Sequence, residues 1–163
     1  MKKRLPLEGM KVLDFTIALA GPFTAWQLAD MGAEVWKIER AGGGDQCRAW
    51  DPFLNDLGTM FVSYNKNKKS VEMNLAAPEG KAVIYEMAKQ ADVVIENFKS
   101  GSIDRLGLGY EKLKELNPRL VFISLSGFGA SGPLRKLPCY DAIAEARSGF
   151  AASNGDPGGP PMR

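Results

Sequence analysis

The sequence predicts an α/β fold, with a Rossmann-like and mainly parallel sheet and helices on both faces. Short runs rich in β-branched and apolar residues alternate with segments of helical periodicity along the chain. Several of these runs are apolar throughout, as expected for strands that are covered on both sides. The 163 residues are enough for one domain with a hydrophobic core. We predict that domain over residues 1–148, followed by a glycine- and proline-rich segment over residues 149–163.

The first part of the chain predicts a β-α-β unit. Lys11–Phe15 is a compact apolar run and indicates a buried strand. Phe23–Met31 has apolar residues at helical spacing, and Pro22 near its start suits the first turn of a helix. Glu34–Arg40 indicates a second strand. Residues 41–58 contain three consecutive glycines and predict a loop.

The rest of the chain continues the same alternation. Phe61–Tyr64 is compatible with either a short strand or a short helix. The amphipathic helix that starts at Pro78 is expected to bury one apolar face, formed by Val83, Ile84, Met87 and Ala88. The further predicted elements are strands over Lys69–Asn74, Asp92–Glu96 and Leu120–Leu125 (the last again a buried one) and helices over Pro78–Gln90, Tyr110–Leu116 and Tyr140–Ser148.

The composition excludes several kinds of chemistry. Histidine is absent, so this chain cannot supply a Ser-His-Asp triad, a Cys-His pair or a His-ligated zinc site. Two cysteines, Cys47 and Cys139, are too few for a disulfide framework or a structural metal site, so we expect a cytoplasmic setting and no metal. The net charge of +2 gives no reason to expect nucleic acid as a partner. No apolar stretch approaches a membrane-spanning length, so we expect no membrane partner.

A glycine motif, G-x-G-x-x-G, occupies residues 127–132 directly after a predicted strand. In a dinucleotide-binding fold this motif opens a helix whose N-terminus binds pyrophosphate. Here Pro133 and Pro138 bracket a stretch without helical periodicity, and the motif lies late in the domain. We interpret it as a structural loop, with nicotinamide or flavin binding as the weaker alternative.

Candidate ligand-binding residues follow the predicted strands. The turn Leu19–Pro22 follows the first strand, Arg40 ends the second, and Arg105 comes shortly after Phe98. Ligands bind at the carboxyl edge of parallel sheets, arginine suits phosphate, and phenylalanine can stack on a purine. The alternative is a pair of solvated surface arginines, and Lys66–Lys69 is likewise a solvated turn or a phosphate contact.

Two late carboxylates have structural interpretations. Asp141 stands at the start of a predicted helix and is expected to cap it. Asp156 lies in a Gly/Pro loop and is expected to be a turn residue. We assign catalysis to neither.

Taken in order, these segments resemble the family III CoA-transferases, of the formyl-CoA transferase and carnitine CoA-transferase (CaiB/BaiF) type. The resemblance spans nearly the whole chain and indicates the N-terminal portion of a larger fold. The matching stretches are residues 7–15, 20–22, 31–40, 65–74, 91–98, 107–110, 116–119, 124–129 and 159–161.

The resemblance implies a CoA-binding domain whose substrates are an acyl-CoA and a carboxylic acid acceptor. It also implies that the complete protein is an interlocked homodimer. The positions that it implies for contact with CoA are Leu19, Ala20, Arg40, Met73, Asn74, Leu75, Ala76, Asn97, Phe98, Lys99, Arg105, Leu137, Pro138, Cys139 and Tyr140.

The resemblance also implies a nucleophile. In the family an aspartate beyond the segment that matches Gly159–Pro161 attacks the acyl-CoA, giving a mixed anhydride and then an aspartyl-CoA thioester. Such a carboxylate is ionised at neutral pH and needs no imidazole to activate it. The sequence stops at Arg163, so we expect no catalytic residue within it and no activity from this chain alone.

Two positions depart from the family pattern, and two alternative functions remain open. Leu19 stands where formyl-CoA transferases carry glutamine, which argues against formyl or oxalyl chemistry, and Pro138 stands where some members carry a lysine for CoA. One alternative is an enzyme like α-methylacyl-CoA racemase, although the histidine that those enzymes use is missing here. The other is a non-catalytic CoA-binding subunit or an inactive fragment.

Overall fold

The computed structural model describes residues 4–162, which divide into two compact units, one up to Leu125 and one from Ser126 onward. The strands are β1 (Lys11–Asp14), β2 (Glu34–Arg40), β3 (Phe53–Leu54), β4 (Leu57–Gly58), β5 (Lys68–Met73), β6 (Val93–Glu96) and β7 (Val121–Ser124). The helices are α1 (Ala20–Asp30), α2 (Thr59–Tyr64), α3 (Pro78–Ala88), α4 (Ser102–Arg105), α5 (Tyr110–Leu116) and α6 (Asp141–Ser148). Short 3-10 helices cover Gln46–Ala49 and Ala151–Ser153.

The first unit is built on a five-stranded sheet. Its strand order is β5-β2-β1-β6-β7, and every neighbouring pair is parallel. β3 and β4 form a separate small antiparallel hairpin. The sheet and its crossover helices confirm the predicted α/β class with a mainly parallel sheet.

Each face of the sheet has its own apolar core. Successive residues of a strand point to opposite faces, so Val12 and Leu13 of β1 belong to different clusters. The cluster with Val12 includes Ala25 and Ala29 of α1. The cluster with Leu13 includes buried residues of α3, α4 and α5, namely Ile84, Ala88, Ile103 and Leu113. Helices therefore cover both faces; we call them the α1 face and the α3–α5 face.

Two burial expectations were wrong. On α3, Ile84 and Ala88 are buried and Met87 packs against the core as predicted, but Val83 is 48% exposed, because the apolar stripe is narrower than the sequence suggests. β7 is an edge strand and only partly covered: Val121 is 54% exposed, and residues 122 and 123 are half-buried. An apolar run thus identified the strand but not its place in the sheet.

Several local predictions are also settled in the first unit. Phe61–Tyr64, left open between strand and helix, lies in α2, and α3 ends at Ala88 before the predicted Gln90. The predicted loop over residues 41–58 contains a 3-10 turn and the β3–β4 hairpin. The four-residue helix α4 was not predicted.

The second unit contains α6 and irregular segments. Residues 127–132 form turns and bends and open no helix, as a structural loop requires. Tyr140, not Asp141, occupies the N-cap position of α6, so the predicted capping role of Asp141 was wrong. The Gly159 N–H bonds to the Asp156 carbonyl at 2.9 Å, which makes Asp156 a turn residue as predicted. The boundary predicted at residue 148 stays a prediction, and Arg163 lies outside the described residues.

Between Arg4 and Met162, none of the helices has both the length and the apolar character that crossing a bilayer requires.

Candidate functional site

The candidate site lies where the strand order of the sheet reverses. β1 is the first strand in sequence, and the chain adds β2 and β5 on one side of it and β6 and β7 on the other. The loops after β1 and β6 therefore part at the carboxyl edge of the sheet, which leaves a crevice where parallel α/β sheets bind ligands. The turn after β1 leads there into α1, through Leu19 and Ala20.

The turn after β1 is tightly specified. Ala18 has a φ of 67°, the left-handed region that non-glycine residues rarely occupy. Such a conformation persists only where surrounding groups hold it. The side chain of Asn97 supplies two of the bonds: it accepts from the Ile17 N–H at 2.8 Å and donates to the Ile17 carbonyl at 2.8 Å.

The first turn of α1 is open to solvent and close to the sheet. Leu19 is the N-cap residue, and no side chain among residues 4–162 caps the helix. Leu19 and Ala20 are exposed, whereas Gly21 and Pro22 are buried and Pro22 has no N–H. A Cβ at Gly21 would overlap the Thr16 side chain, so only glycine permits this close approach. A helix N-terminus of this kind favours anionic groups.

The predicted residues at the ends of β2 and β5 lie side by side. The sheet register pairs Arg40 with Met73, and the Ala41 N–H bonds to the Met73 carbonyl at 3.3 Å. Arg40 is exposed. Residues 74–76 form the turn into α3, where the Asn74 side chain accepts from the Ala76 N–H at 3.0 Å.

The predicted residues after β6 divide into buried and exposed groups. Phe98 is half-buried and packs against the core of the α3–α5 face. Lys99 is exposed. Arg105 ends α4, is exposed, and donates to the Ser102 hydroxyl at 2.9 Å. Both predicted phosphate-binding arginines thus have solvent-accessible guanidinium groups.

The four remaining predicted residues belong to the second unit. Leu137 and Tyr140 are 52% and 68% exposed, Pro138 is exposed, and Cys139 is half-buried. Cys139 lies against Gly127, where a Cβ would overlap its side chain. Within that unit, the segment is an irregular connection that leads into α6.

The α1 face carries three ion pairs with buried carboxylates that the sequence did not reveal. Lys68 Nζ lies 2.8 Å from Asp14 Oδ2, and both side chains are at most 1% exposed. Lys37 Nζ lies 3.0 Å from Asp45 Oδ2, with equally little exposure. The third pair joins Arg48 to Glu39. The predicted alternative for Lys66–Lys69, a solvated turn or a phosphate contact, was wrong for Lys68.

The Glu39–Arg48 pair is bidentate, with Nε and one terminal nitrogen of Arg48 each 2.7 Å from a carboxylate oxygen. Burial alone would raise the pKa of Glu39, but hydrogen bonds from Arg48, Ser70 and the Asp45 N–H lower it from 4.5 to about 2. Burial also lowers the pKa of Lys68, although the Asp14 carboxylate opposes that change. Both groups are committed to structural contacts, and Glu39 is a poor acid or base near neutral pH.

Glu96, at the end of β6 on the α3–α5 face, has a different environment. It is 3% exposed, and its carboxylate accepts hydrogen bonds from the Ser124 hydroxyl and, at 2.8 Å, from the Phe98 N–H. Burial raises the pKa of Glu96 above its ordinary value, and the two hydrogen bonds oppose the rise. Glu96 holds the backbone at Phe98 in place.

A polar cleft of about 360 Å³ opens beside Arg40, around the glycine-rich turn Gly42–Gly44. Glu39 and Arg48 form part of its wall, and the Gly42 N–H bonds to the Glu72 carboxylate at 2.6 Å.

No metal site is found in the described part of the chain, and the Cys47 thiol is not activated. Residues 4–162 contain no group of three acidic or cysteine side chains arranged to hold a metal ion. Burial and the nearby Asp45 carboxylate raise the pKa of Cys47 to about 12, so its thiol stays protonated.

Comparison with known proteins assigns the chain to one family. The model of CoA-transferase family III matches residues 7–163. The chain is 44% identical to the succinyl-CoA:glutarate CoA-transferase of Mus musculus over 97% of its own length and 36% of that protein. It is also 44% identical to the acetyl-CoA:oxalate CoA-transferase of Acetobacter aceti, over 99% of its own length and 42% of that protein.

A solved structure agrees with the sequence matches. A CaiB/BaiF family protein from Brucella suis superposes with a TM-score of 0.93 at 36% identity, covering 99% of this chain and 44% of that one. The chain spans less than half the length of each of these relatives.

Proposed function

The chain belongs to CoA-transferase family III, and we propose that the complete protein moves CoA from an acyl-CoA to a carboxylic acid. The family match covers the chain almost from end to end, and relatives that share over 40% of its residues are named as CoA-transferases. Enzymes of this family use CoA thioesters as substrates. The chain itself would supply the CoA-binding domain, and the complete protein would be a homodimer.

The observation that carries the proposal is the carboxyl edge of the sheet. Seven of the proposed CoA contacts end or directly follow β2, β5 or β6, or open α1 after β1: Leu19, Ala20, Arg40, Met73, Asn97, Phe98 and Lys99. Residues 74–76, Arg105 and residues 137–140 complete the proposed set. Exposed Arg40 and Arg105 provide planar, positively charged guanidinium groups that suit CoA phosphates.

We propose that the nucleophile is a carboxylate outside this sequence. Within the described residues, the buried carboxylates of the α1 face are ion-paired, Cys47 is protonated, and Asp156 is a turn residue.

The activity test incubates the purified full-length protein with succinyl-CoA or acetyl-CoA and a panel of acids that includes glutarate, oxalate and succinate. Mass spectrometry then follows new CoA esters and any CoA adduct on the protein. We expect exchanged esters from the full-length protein and none from the 163-residue chain alone. Turnover by the short chain, or an adduct on Asp141 or Asp156, would contradict the proposed place of the nucleophile. Racemisation at the α-carbon of an added 2-methylacyl-CoA, without CoA exchange, would favour the racemase alternative.

The binding test targets the two exposed arginines. Each charge-assisted phosphate contact contributes about 1.5 to 3 kcal/mol, which corresponds to at least a tenfold change in affinity. We therefore expect Arg40→Ala and Arg105→Ala to weaken CoA binding about tenfold or more, measured by calorimetric titration of the full-length protein. Arg119→Ala changes an exposed arginine near the opposite edge of the sheet and is the matched control. Unchanged affinity in both test variants would overturn their assignment.

A further inference from the structure

The turn after β1 is held by side chains that come from other elements. Lys37, in the middle of β2, donates from Nζ to the Thr16 carbonyl at 2.8 Å. Asp45, in the segment after β2, accepts from the Ala18 N–H through Oδ1 at 3.3 Å. The Asn97 side-chain amide bonds to both the N–H and the carbonyl of Ile17, between these two contacts. We call the three side chains the turn clamp: Lys37, Asp45 and Asn97.

Two members of the turn clamp cannot reach a ligand. The side chains of Lys37 and Asp45 are 1% and 0% exposed and lie 3.0 Å apart as an ion pair. Among the described residues, Lys37 contacts the Thr16 carbonyl and Asp45, and Asp45 also accepts from the Cys47 N–H at 3.0 Å. Any influence of this pair on binding must therefore pass through the backbone that it holds.

That backbone is strained and leads directly into the proposed site. Ala18 is held at a φ of 67°, and the next residues, Leu19 and Ala20, are proposed to contact acyl-CoA. A non-glycine residue relaxes from this region when the groups that hold it are removed. Relaxation of the backbone at Ala18 would change the direction of the first turn of α1. A shift of about 1 Å in a binding group is enough to weaken binding or catalysis severely.

We propose that Lys37 and Asp45 are positioning residues for acyl-CoA, which set the turn at Thr16–Ala18 and thereby the direction of Leu19 and Ala20. The inference rests on the proposed function. Asn97 acts in the same way with its side chain, because its amide group is occupied by both polar groups of Ile17.

The test uses two double variants of the full-length protein. Lys37→Met/Asp45→Asn and Lys37→Met/Asp45→Ala both remove the buried charges, so neither leaves an unpaired ion. Only the second also removes the acceptor for the Ala18 N–H. Arg48→Met is the control: it breaks the ion pair between partly exposed Arg48 and buried Glu39 in the same segment, and Arg48 bonds to Glu39 instead of to the turn.

Three measurements are compared: the affinity for CoA by calorimetry, the melting temperature, and hydrogen exchange of the peptide that covers residues 15–20. We expect Lys37→Met/Asp45→Ala to bind CoA about tenfold more weakly than the wild type, with faster exchange in this peptide. Lys37→Met/Asp45→Asn should lie between the two. Arg48→Met should lower the melting temperature while CoA affinity and exchange at residues 15–20 stay within about twofold of the wild type.

The outcomes separate this inference from the proposed function. A folded Lys37→Met/Asp45→Ala protein with wild-type CoA affinity overturns the positioning role, and so does an equal loss of affinity in Arg48→Met. A wild-type protein that does not bind CoA contradicts the proposed function itself. Exchange at residues 15–20 reports on the turn clamp independently of CoA, and unchanged exchange in the alanine variant overturns it.

Discussion

The two faces of the sheet stabilise their buried carboxylates in different ways. On the α1 face, three carboxylates near the carboxyl ends of the strands are paired with cations, two of them lysines that are almost fully buried. On the α3–α5 face, Glu96 is the buried carboxylate at the same edge, and it is held by a hydroxyl and a backbone N–H. The apolar core of the α3–α5 face is also larger, with eleven buried residues against seven.

This difference indicates what each face contributes to the site. A buried ion pair adds little net stability relative to apolar residues, but removing one partner is expensive because a bare charge remains. The α1 face therefore holds one rigid arrangement of the turn after β1, whereas the α3–α5 face supplies most of the apolar burial. The turn Thr16–Ala18, held by side chains from other elements, therefore lies on the side where the buried charges are paired.

Breaking one buried pair should give the largest effect. Lys68→Met leaves Asp14 as an unpaired carboxylate beneath Thr16 and should lower the free energy of unfolding by about 3 to 5 kcal/mol. Adding Asp14→Asn removes that charge but keeps an acceptor for the Thr16 N–H, so the double variant should recover most of the loss. Urea unfolding of the full-length protein measures both. A loss below about 1 kcal/mol in the single variant would mean that the pair behaves like one at the surface.

Acid should weaken the α1 face through Glu39. Its pKa in the folded protein is about 2 against an ordinary 4.5, so the folded state keeps this carboxylate ionised while the unfolded chain takes up a proton. The stabilisation is therefore complete above pH 4.5 and is lost as the pH falls towards 2. Glu39→Gln should cost about 2 kcal/mol at neutral pH and flatten the acid limb of stability against pH.

The matched control for this pH dependence is Glu86→Gln, which removes an exposed carboxylate that pairs with Lys89 at the surface. That variant should keep the acid limb of the wild type, because an exposed pair contributes little. An acid limb that persists in Glu39→Gln would show that another group causes it.

The strands and the edge of the sheet that carries the site could be predicted because both follow from local patterns. A run such as Val93–Glu96 is apolar enough to be recognised as a strand, and residues that follow parallel strands must lie at one edge of the sheet. The pairing of Arg40 with Met73 needed the sheet register, which no local pattern contains. The edge position of β7 was missed for the same reason.

The turn clamp and the ion pairs could not be predicted because their partners are distant in sequence or outside any periodic segment. Lys37 and Glu39 alternate with apolar residues in β2, a pattern equally typical of a strand with one wet face. They are buried because the segment after β2 folds back and supplies Asp45 and Arg48. Lys68 belongs to the basic run Lys66–Lys69, and nothing in that sequence indicates that one of its lysines is buried.

The smallest effect, and one of opposite sign, is expected on the α3–α5 face. The pKa of Glu96 in the folded protein is raised, so the folded state holds its proton more tightly than the unfolded chain does. Its contribution to stability is complete below the unfolded pKa of 4.5 and is lost as the pH rises through the raised value. Glutamine offers the same shape without the desolvated charge. Glu96→Gln should therefore leave stability at neutral pH unchanged or raise it by up to about 1 kcal/mol.

Measuring unfolding of Glu96→Gln across the acid and neutral range checks this sign. Its advantage over the wild type should shrink as the pH falls, the reverse of the behaviour expected from Glu39→Gln. Ser124→Ala is the companion variant: it removes the hydroxyl that opposes the rise in the pKa of Glu96, so the loss of stability with rising pH should become steeper. A Glu96→Gln protein that is clearly less stable than the wild type at neutral pH would mean that the carboxylate is ionised and favourably solvated. The contrast between the two faces would then rest on the ion pairs alone.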